Sequence, residues 1–192
     1  MHLKDIAEVI PGYAFRGSIE VSDSGDTRVL QARNIVLDEN FVDADSLVAI
    51  AGGPPRGSTY LQKGDVLLVA RGMGAGSFKS SVYEADAINV IASSSVYILR
   101  VVSVSLLPDF LSSYLNSPSG QQALAGILTG SYIGALPKSE LLKVKIPIPS
   151  LAKQKAMVDL HENILKQQSI LDRKHKLKQK IISTFFRNLT TA

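Results

Sequence analysis

The sequence contains no cysteine, which excludes disulfides, thiolate metal sites and a thiol nucleophile, and fits a reducing compartment. It also lacks long apolar runs. A stretch such as Val66–Ala70 is far too short to span a bilayer. No apolar segment follows Met1-His2-Leu3-Lys4-Asp5, so the start does not read as a signal peptide. A soluble, cytoplasmic protein without membrane attachment is expected. Histidine is scarce: His2 stands at the N-terminus, and His161 and His175 fall in a helical C-terminal segment. His161-Glu162 begins like a zinc-protease helix, but Leu165 occupies the place of the second ligand. No Gly-x-Ser-x-Gly elbow occurs. Asp109 with Glu140-x-x-Lys143 is the nearest approach to a nuclease set, yet the usual spacing is Glu-x-Lys. Asp109 also suits a first helical turn, where the macrodipole favours an acid. No catalytic residue, metal or cofactor is expected.

Proline and glycine are absent after Pro149, which divides the chain. The 192 residues are 45% hydrophobic and 20% charged, enough for one globular domain with an appended element. The net charge of +4 hides an asymmetry. Residues 1–150 hold 12 Lys/Arg against 14 Asp/Glu, whereas residues 151–192 hold 9 against 3. A basic helix suits nucleic acid or an acidic partner. DNA binding by the acidic first part requires its cations to gather on one face.

Leu3, Ile6, Ala7 and Ile10 follow an i, i+3, i+4, i+7 pattern that predicts a short amphipathic helix, ended by Pro11-Gly12. A loop with Tyr13, Phe15 and Arg16 comes next. Thr27–Gln31 reads as a strand. Gln31-Ala32-Arg33-Asn34 then groups three hydrogen-bonding side chains, fit either to cap a turn or to read base edges. Residues 51–58 form a loop. Gly64-Asp65 is a turn before Val66–Ala70, whose unbroken apolar run predicts a strand buried on both faces. Gly72-Met73-Gly74-Ala75-Gly76 is Gly-x-Gly-x-Gly, neither a dinucleotide fingerprint nor a P-loop, and strand-like alternation follows it instead of a helix. Its glycines let backbone lie close to DNA, with Arg71 and Lys79 available for phosphate. Residues 89–102 are strand-rich. Leu106–Leu115 reads as a helix, and Ser117-Pro118 as N-cap and N1 of another reaching about Leu128. Tyr132, in a Gly-flanked loop, reads as a half-buried core residue or as a surface contact.

Val144–Pro149 is extended, because each proline disfavours helix at the residue before it. Ser150 is a suitable N-cap for a helix starting near Leu151 and reaching about Phe186. Met157, Leu160, Ile164, Leu171, Ile182 and Phe185 form one stripe, interrupted midway by polar residues, so a strict heptad is not kept. At ~1.5 Å per residue such a helix runs for roughly 54 Å. Its stripe needs a partner helix or a fold back over its own domain.

The pattern Leu141-x-x-Val144-x-Ile146-Pro147-Ile148-Pro149-Ser150-Leu151-x-x-Gln154 resembles the end of a target recognition domain in the DNA-specificity subunits of type I restriction–modification systems. Leu3-x-Asp5-Ile6-Ala7-x-Val9-Ile10-x-Gly12 resembles that family's start. Leu61-x-x-Gly64-Asp65-Val66-Leu67-Leu68 with Arg71-Gly72 resembles its central strand and turn, and Gly130-Ser131 also fits. The ordered set spans nearly the whole chain. The resemblance implies an α+β fold: a mixed recognition domain over 1–149, then one long helix over 150–188 that pairs with a partner helix. It implies a non-catalytic subunit that recognises double-stranded DNA and gathers methyltransferase and restriction subunits. A full subunit of the family carries two domains and two helices, so a half-subunit, natural or excised, is expected. Two copies would pair through antiparallel helices, with Met157, Leu160, Ile164, Leu171, Ile182 and Phe185 at the interface, and would read a bipartite site. The candidate DNA contacts are Tyr13, Arg16, Gln31, Arg33, Arg71, Lys79, Tyr132 and Lys138. The alternative is an interaction or assembly protein that does not bind DNA and docks through its basic helix.

Overall fold

Val66–Val69 forms a strand, β4, with every residue buried, as its apolar run predicts. The alternation of side chains divides it between two cores. Val66 and Leu68 pack with Phe110, Leu111, Leu115 and Leu124 from two helices. Leu67 and Val69 pack with Leu30, Tyr83, Val90, Val96 and Ile98. Full burial of each such side chain stabilises by about 1.5–3 kcal/mol.

The computed structural model describes residues 1–22, 24–36, 46–85, 89–129 and 134–190, with side chains to residue 187. It is α+β. One sheet has the order β1 (Ala7–Pro11), β8 (Val96–Val101), β4, β6 (Ser80–Val82), all antiparallel. A second has the order β3 (Val48–Ile50), β2 (Thr27–Leu30), β7 (Val90–Ala92), with β2 and β7 parallel. The ribbon β5 (Arg71–Gly72) and β9 (Gly134–Ala135) is antiparallel. Helices α1 (Pro108–Asn116) and α2 (Pro118–Ala125) bury their apolar faces. Asp109 sits in the first turn of α1. The Ser117 hydroxyl caps α2 by accepting from Gly120 N–H at 3.2 Å. This helix ends at Ala125, short of Leu128, with Gly126 as its C-cap. A single turn, α3 (Lys138–Leu141), follows β9.

The expected N-terminal helix is absent. Leu3–Asp5 is one 3-10 turn, and Ala7–Pro11 is a strand in register with β8 from Ala7↔Val101 to Pro11↔Tyr97. The strand wins because β-branched Val9 and Ile10 favour it, and because Ala7 and Val9 face the core while Glu8 faces water. The turn then carries Leu3 and Ile6 into the same core.

The chain divides into two compact units, Met1–Val158 and Asp159–Ala192. The junction Val144–Pro149 is extended and lies beside the chain's start, with Leu3 N–H donating to Val144 C=O at 2.8 Å. Helix α4 (Leu151–Thr190) begins where the prolines and Ser150 predict and runs a little beyond Phe186. Within the first unit Gln154 is fully buried. Its Oε1 accepts from Leu107 N–H at 2.9 Å, and its Nε2 donates to Ser105 C=O at 2.7 Å and Pro149 C=O at 2.8 Å. One side chain thus fixes the first turn of α4 to the entry of α1. Gln154→Leu strands three backbone groups. It is expected to cost about 2–3 kcal/mol, seen as a lower urea midpoint at unchanged slope.

Along α4 the apolar residues Met157, Leu160, Ile164, Ile170, Leu171, Leu177, Ile181, Ile182, Phe185 and Phe186 are 47–68% exposed. Among the described residues no helix is long and apolar enough to cross a membrane.

Candidate nucleic-acid interface

Strand direction assembles the candidate residues. Because β1 and β4 run antiparallel to β8, their C-terminal ends lie where β8 begins. Because β2 runs parallel to β7, both end where β7 turns into β8. Ser93-Ser94-Ser95 is that turn, and every loop leaving these strands is bonded to it. Tyr13 N–H donates to Ala92 C=O, and Ser94 N–H donates back to Tyr13 C=O, each at 2.7 Å. Ser93 N–H donates to Leu30 C=O at 2.8 Å, and Ala32 N–H to Ser95 Oγ at 3.2 Å. Ala70 N–H donates to Ser95 C=O at 2.8 Å, and Ala70 C=O accepts from Leu136 N–H at 3.0 Å. Val69 N–H donates to Lys79 C=O at 2.9 Å, so Lys79 enters β6 at this same end.

The close approach explains one glycine. A Cβ on Gly12 would lie 2.1 Å from Ser93 O, so any side chain there would push the Tyr13 loop off the serine turn.

Seven of the eight candidate DNA contacts are described, and all seven leave this end. Tyr13 is half-buried and meets Phe15 edge-on at 5.0 Å, with Arg16 exposed just beyond. Gln31 is half-exposed and Arg33 exposed on a 3-10 turn, Ala32–Asn34. In that turn Asn34 has the capping role, since its Oδ1 accepts from Gln31 N–H at 2.9 Å and its Nδ2 donates to Ser46 C=O at 3.2 Å. Arg71 is exposed on β5, Lys79 half-exposed, and Lys138 exposed at the start of α3. Tyr132 lies outside the described residues. Burial raises the Tyr97 phenol above its ordinary pKa, opposed by the nearby Arg71 guanidinium, and Tyr97 Oη donates to Leu136 C=O at 2.8 Å.

The glycine-rich loop is clamped from below. Gln121 Oε1 accepts from Gly76 N–H at 2.8 Å and Phe78 N–H at 3.2 Å. Its Nε2 donates to Phe78 C=O at 2.8 Å and Leu115 C=O at 2.7 Å. Asn116 repeats the device on β6, exchanging two 2.8 Å bonds with the Ser80 backbone. Gly76, at φ +89°, supplies the left-handed residue that turns its N–H onto Gln121. Sequence reasoning missed both the clamps and the serine turn. Their signals are polar residues set into apolar helices and a polar triplet between the apolar runs 90–92 and 96–99.

Charge is sorted as well. Asp65 is buried and grips Arg100 through Nε–Oδ1 at 2.9 Å and Nη2–Oδ2 at 2.8 Å. That pairing holds the guanidinium above its ordinary pKa, against burial. Glu84 faces Lys63 at 3.9 Å and Glu140 meets Lys143 at 2.7 Å. Asp65, just before β4, and Arg100, near the end of β8, lie at the end remote from the serine turn. Among the described residues, Arg16, Arg33, Arg71, Lys79 and Lys138 have no salt-bridge partner. Five cations on the segments around the serine turn, with half-exposed Tyr13 and Gln31 among them, can hold phosphates and present hydrogen-bonding side chains to base edges.

The family model for the type I restriction modification DNA specificity domain matches residues 1–184. No curated protein matches. Solved structures similar in fold include these three. One belongs to work on complex assembly and conformational transition of the type I R-M system, at TM-score 0.70 and 19% identity over 96% of this chain and 42% of that one. Another is the HsdS subunit from Thermoanaerobacter tengcongensis, at 0.62 and 20%, over 90% and 38%. A third is the S subunit of a type I system from M. genitalium, at 0.56 and 14%, over 94% and 43%. The chain thus spans less than half the length of each.

Proposed function

Since the chain belongs to the type I restriction modification DNA specificity family, we propose that it is the DNA-reading part of such a system, itself non-catalytic and acting in the cytoplasm. Residues 1–149 serve as the recognition domain and 150–188 as the pairing helix. The observation that carries this reading is the convergence of five cations on the serine-turn end. Arg16, Arg33, Arg71, Lys79 and Lys138 take phosphates and fix register. Gln31, Tyr13 and Tyr132 supply contacts to bases. Methyltransferase and restriction subunits are the protein partners, directed to the site this domain selects.

Two copies pair through the exposed α4 stripe, antiparallel, and so present two recognition ends related by a two-fold axis. The target is then bipartite, with inverted half-sites. Selection from a randomised duplex library tests this. Enrichment of two inverted half-sites at fixed spacing is the expected outcome, and Arg71→Ala should weaken binding about tenfold and reduce the salt slope by ~1. A library that returns unenriched would sink the reading and favour the assembly role, which draws support from the acidic balance of residues 1–150.

A further inference from the structure

Helix α4 carries a basic row opposite its stripe of Leu160, Ile164, Leu171, Ile182 and Phe185, with Ile170 and Leu177 on the flank of that row. Successive helical side chains turn by about 100°. Measured from Arg173, Lys166, Lys180 and Arg187 lie within about 40° and Lys176 within about 60°. Leu160, Ile164, Leu171, Ile182 and Phe185 lie about 120–180° away. Lys166, Arg173, Lys180 and Arg187 recur at every seventh position, a spacing of ~10.5 Å and a row of ~32 Å. Two acids, Asp159 and Glu162, stand on this face, both N-terminal of the row, and Glu162 is paired to Lys166 at 3.5 Å. From there to Arg187 the face has none. Asp172 lies about 100° round the helix, bonded by Gln168 Nε2 at 3.1 Å.

We infer that this row is a sequence-independent contact to the DNA backbone, tracking the duplex between the two half-sites. The inference rests on the DNA-recognition reading. If two recognition ends are joined by paired helices, the duplex linking their half-sites passes alongside the pair. A row of ~32 Å matches ~9 base pairs at 3.4 Å each. Covering the apolar stripe leaves the basic row facing outward. Its charged members are Lys and Arg alone, without the Gln, Asn or aromatic side chains that read bases, so it fits a polyanion of uniform charge.

The test uses the full chain and a 40-base-pair duplex of random sequence, with affinity followed by fluorescence anisotropy against salt. K166Q/R173Q/K180Q should flatten the plot of log affinity against log salt by about 2.7, near 0.9 for each lost phosphate contact. The charge-conserving K166R/R173K/K180R should keep the wild-type slope, and light scattering should give one mass for all three proteins. Equal slopes for wild type and the Gln variant overturn the inference while leaving the recognition reading in place. Wild-type protein that ignores the duplex at low salt overturns both. A Gln variant whose mass changes is replaced by R173Q alone, for which the expected flattening is about 0.9, and an unchanged slope again overturns the inference.

Discussion

Gln121→Leu is expected to lower the unfolding free energy by about 4 kcal/mol and to weaken DNA binding in the molecules that remain folded. Leu fills nearly the same volume, so the loss is one of hydrogen bonds and not of packing. Gln121 satisfies four backbone groups: Gly76 N–H, Phe78 N–H, Phe78 C=O and Leu115 C=O. Gly76 is exposed and can turn to water. The other three are enclosed, and each stranded group costs about 1–3 kcal/mol. Extra apolar burial offsets some of this, by about 1 kcal/mol. Urea unfolding should show the drop as a shifted midpoint at constant slope. Gln121→Glu separates the two halves of the clamp. It keeps an acceptor for the N–H groups but sets a carboxylate oxygen against two carbonyls, so it should be no milder than Leu. A shift under about 1 kcal/mol for both variants would mean that the glycine loop is held by its own turn.

That clamp was illegible in the sequence for a physical reason. A glutamine within a weakly amphipathic eight-residue helix is an ordinary solvent-facing residue until another segment needs its amide. The segment that needs it lies 43 positions away. Features depending on neighbours in the chain were readable. Two prolines and Ser150 give the start of α4, and Ser117-Pro118 the start of α2. The doubly buried β4 shows in its unbroken apolar run. Leu3–Ile10 misleads because its apolar spacing satisfies both periods in part, and pairing with a strand more than 85 positions away decides between them. The candidate DNA contacts stand on separate segments of the chain. Their convergence depends on strand direction and on a serine turn that no single loop reveals.

Changing Leu160, Ile164 and Leu171 together to Glu should convert a dimer into a monomer. These side chains are 54–61% exposed in the single chain and share one face of α4. Covering each by a partner helix is worth roughly 1–2 kcal/mol on area alone. A carboxylate in its place adds desolvation and repulsion from the symmetry-related copies. The summed effect exceeds about 6 kcal/mol per pair, more than four orders of magnitude in dissociation constant. Light scattering at micromolar concentration should therefore read twice 20.7 kDa for wild type and 20.7 kDa for the variant. All three positions lie beyond Val158, where the first compact unit ends. Urea unfolding of that unit should thus be unchanged, which separates lost pairing from lost folding. A wild-type chain already monomeric would sink the two-fold arrangement and with it the inverted half-sites. The apolar stripe would then belong to a different helix, and the selected DNA would carry a single half-site.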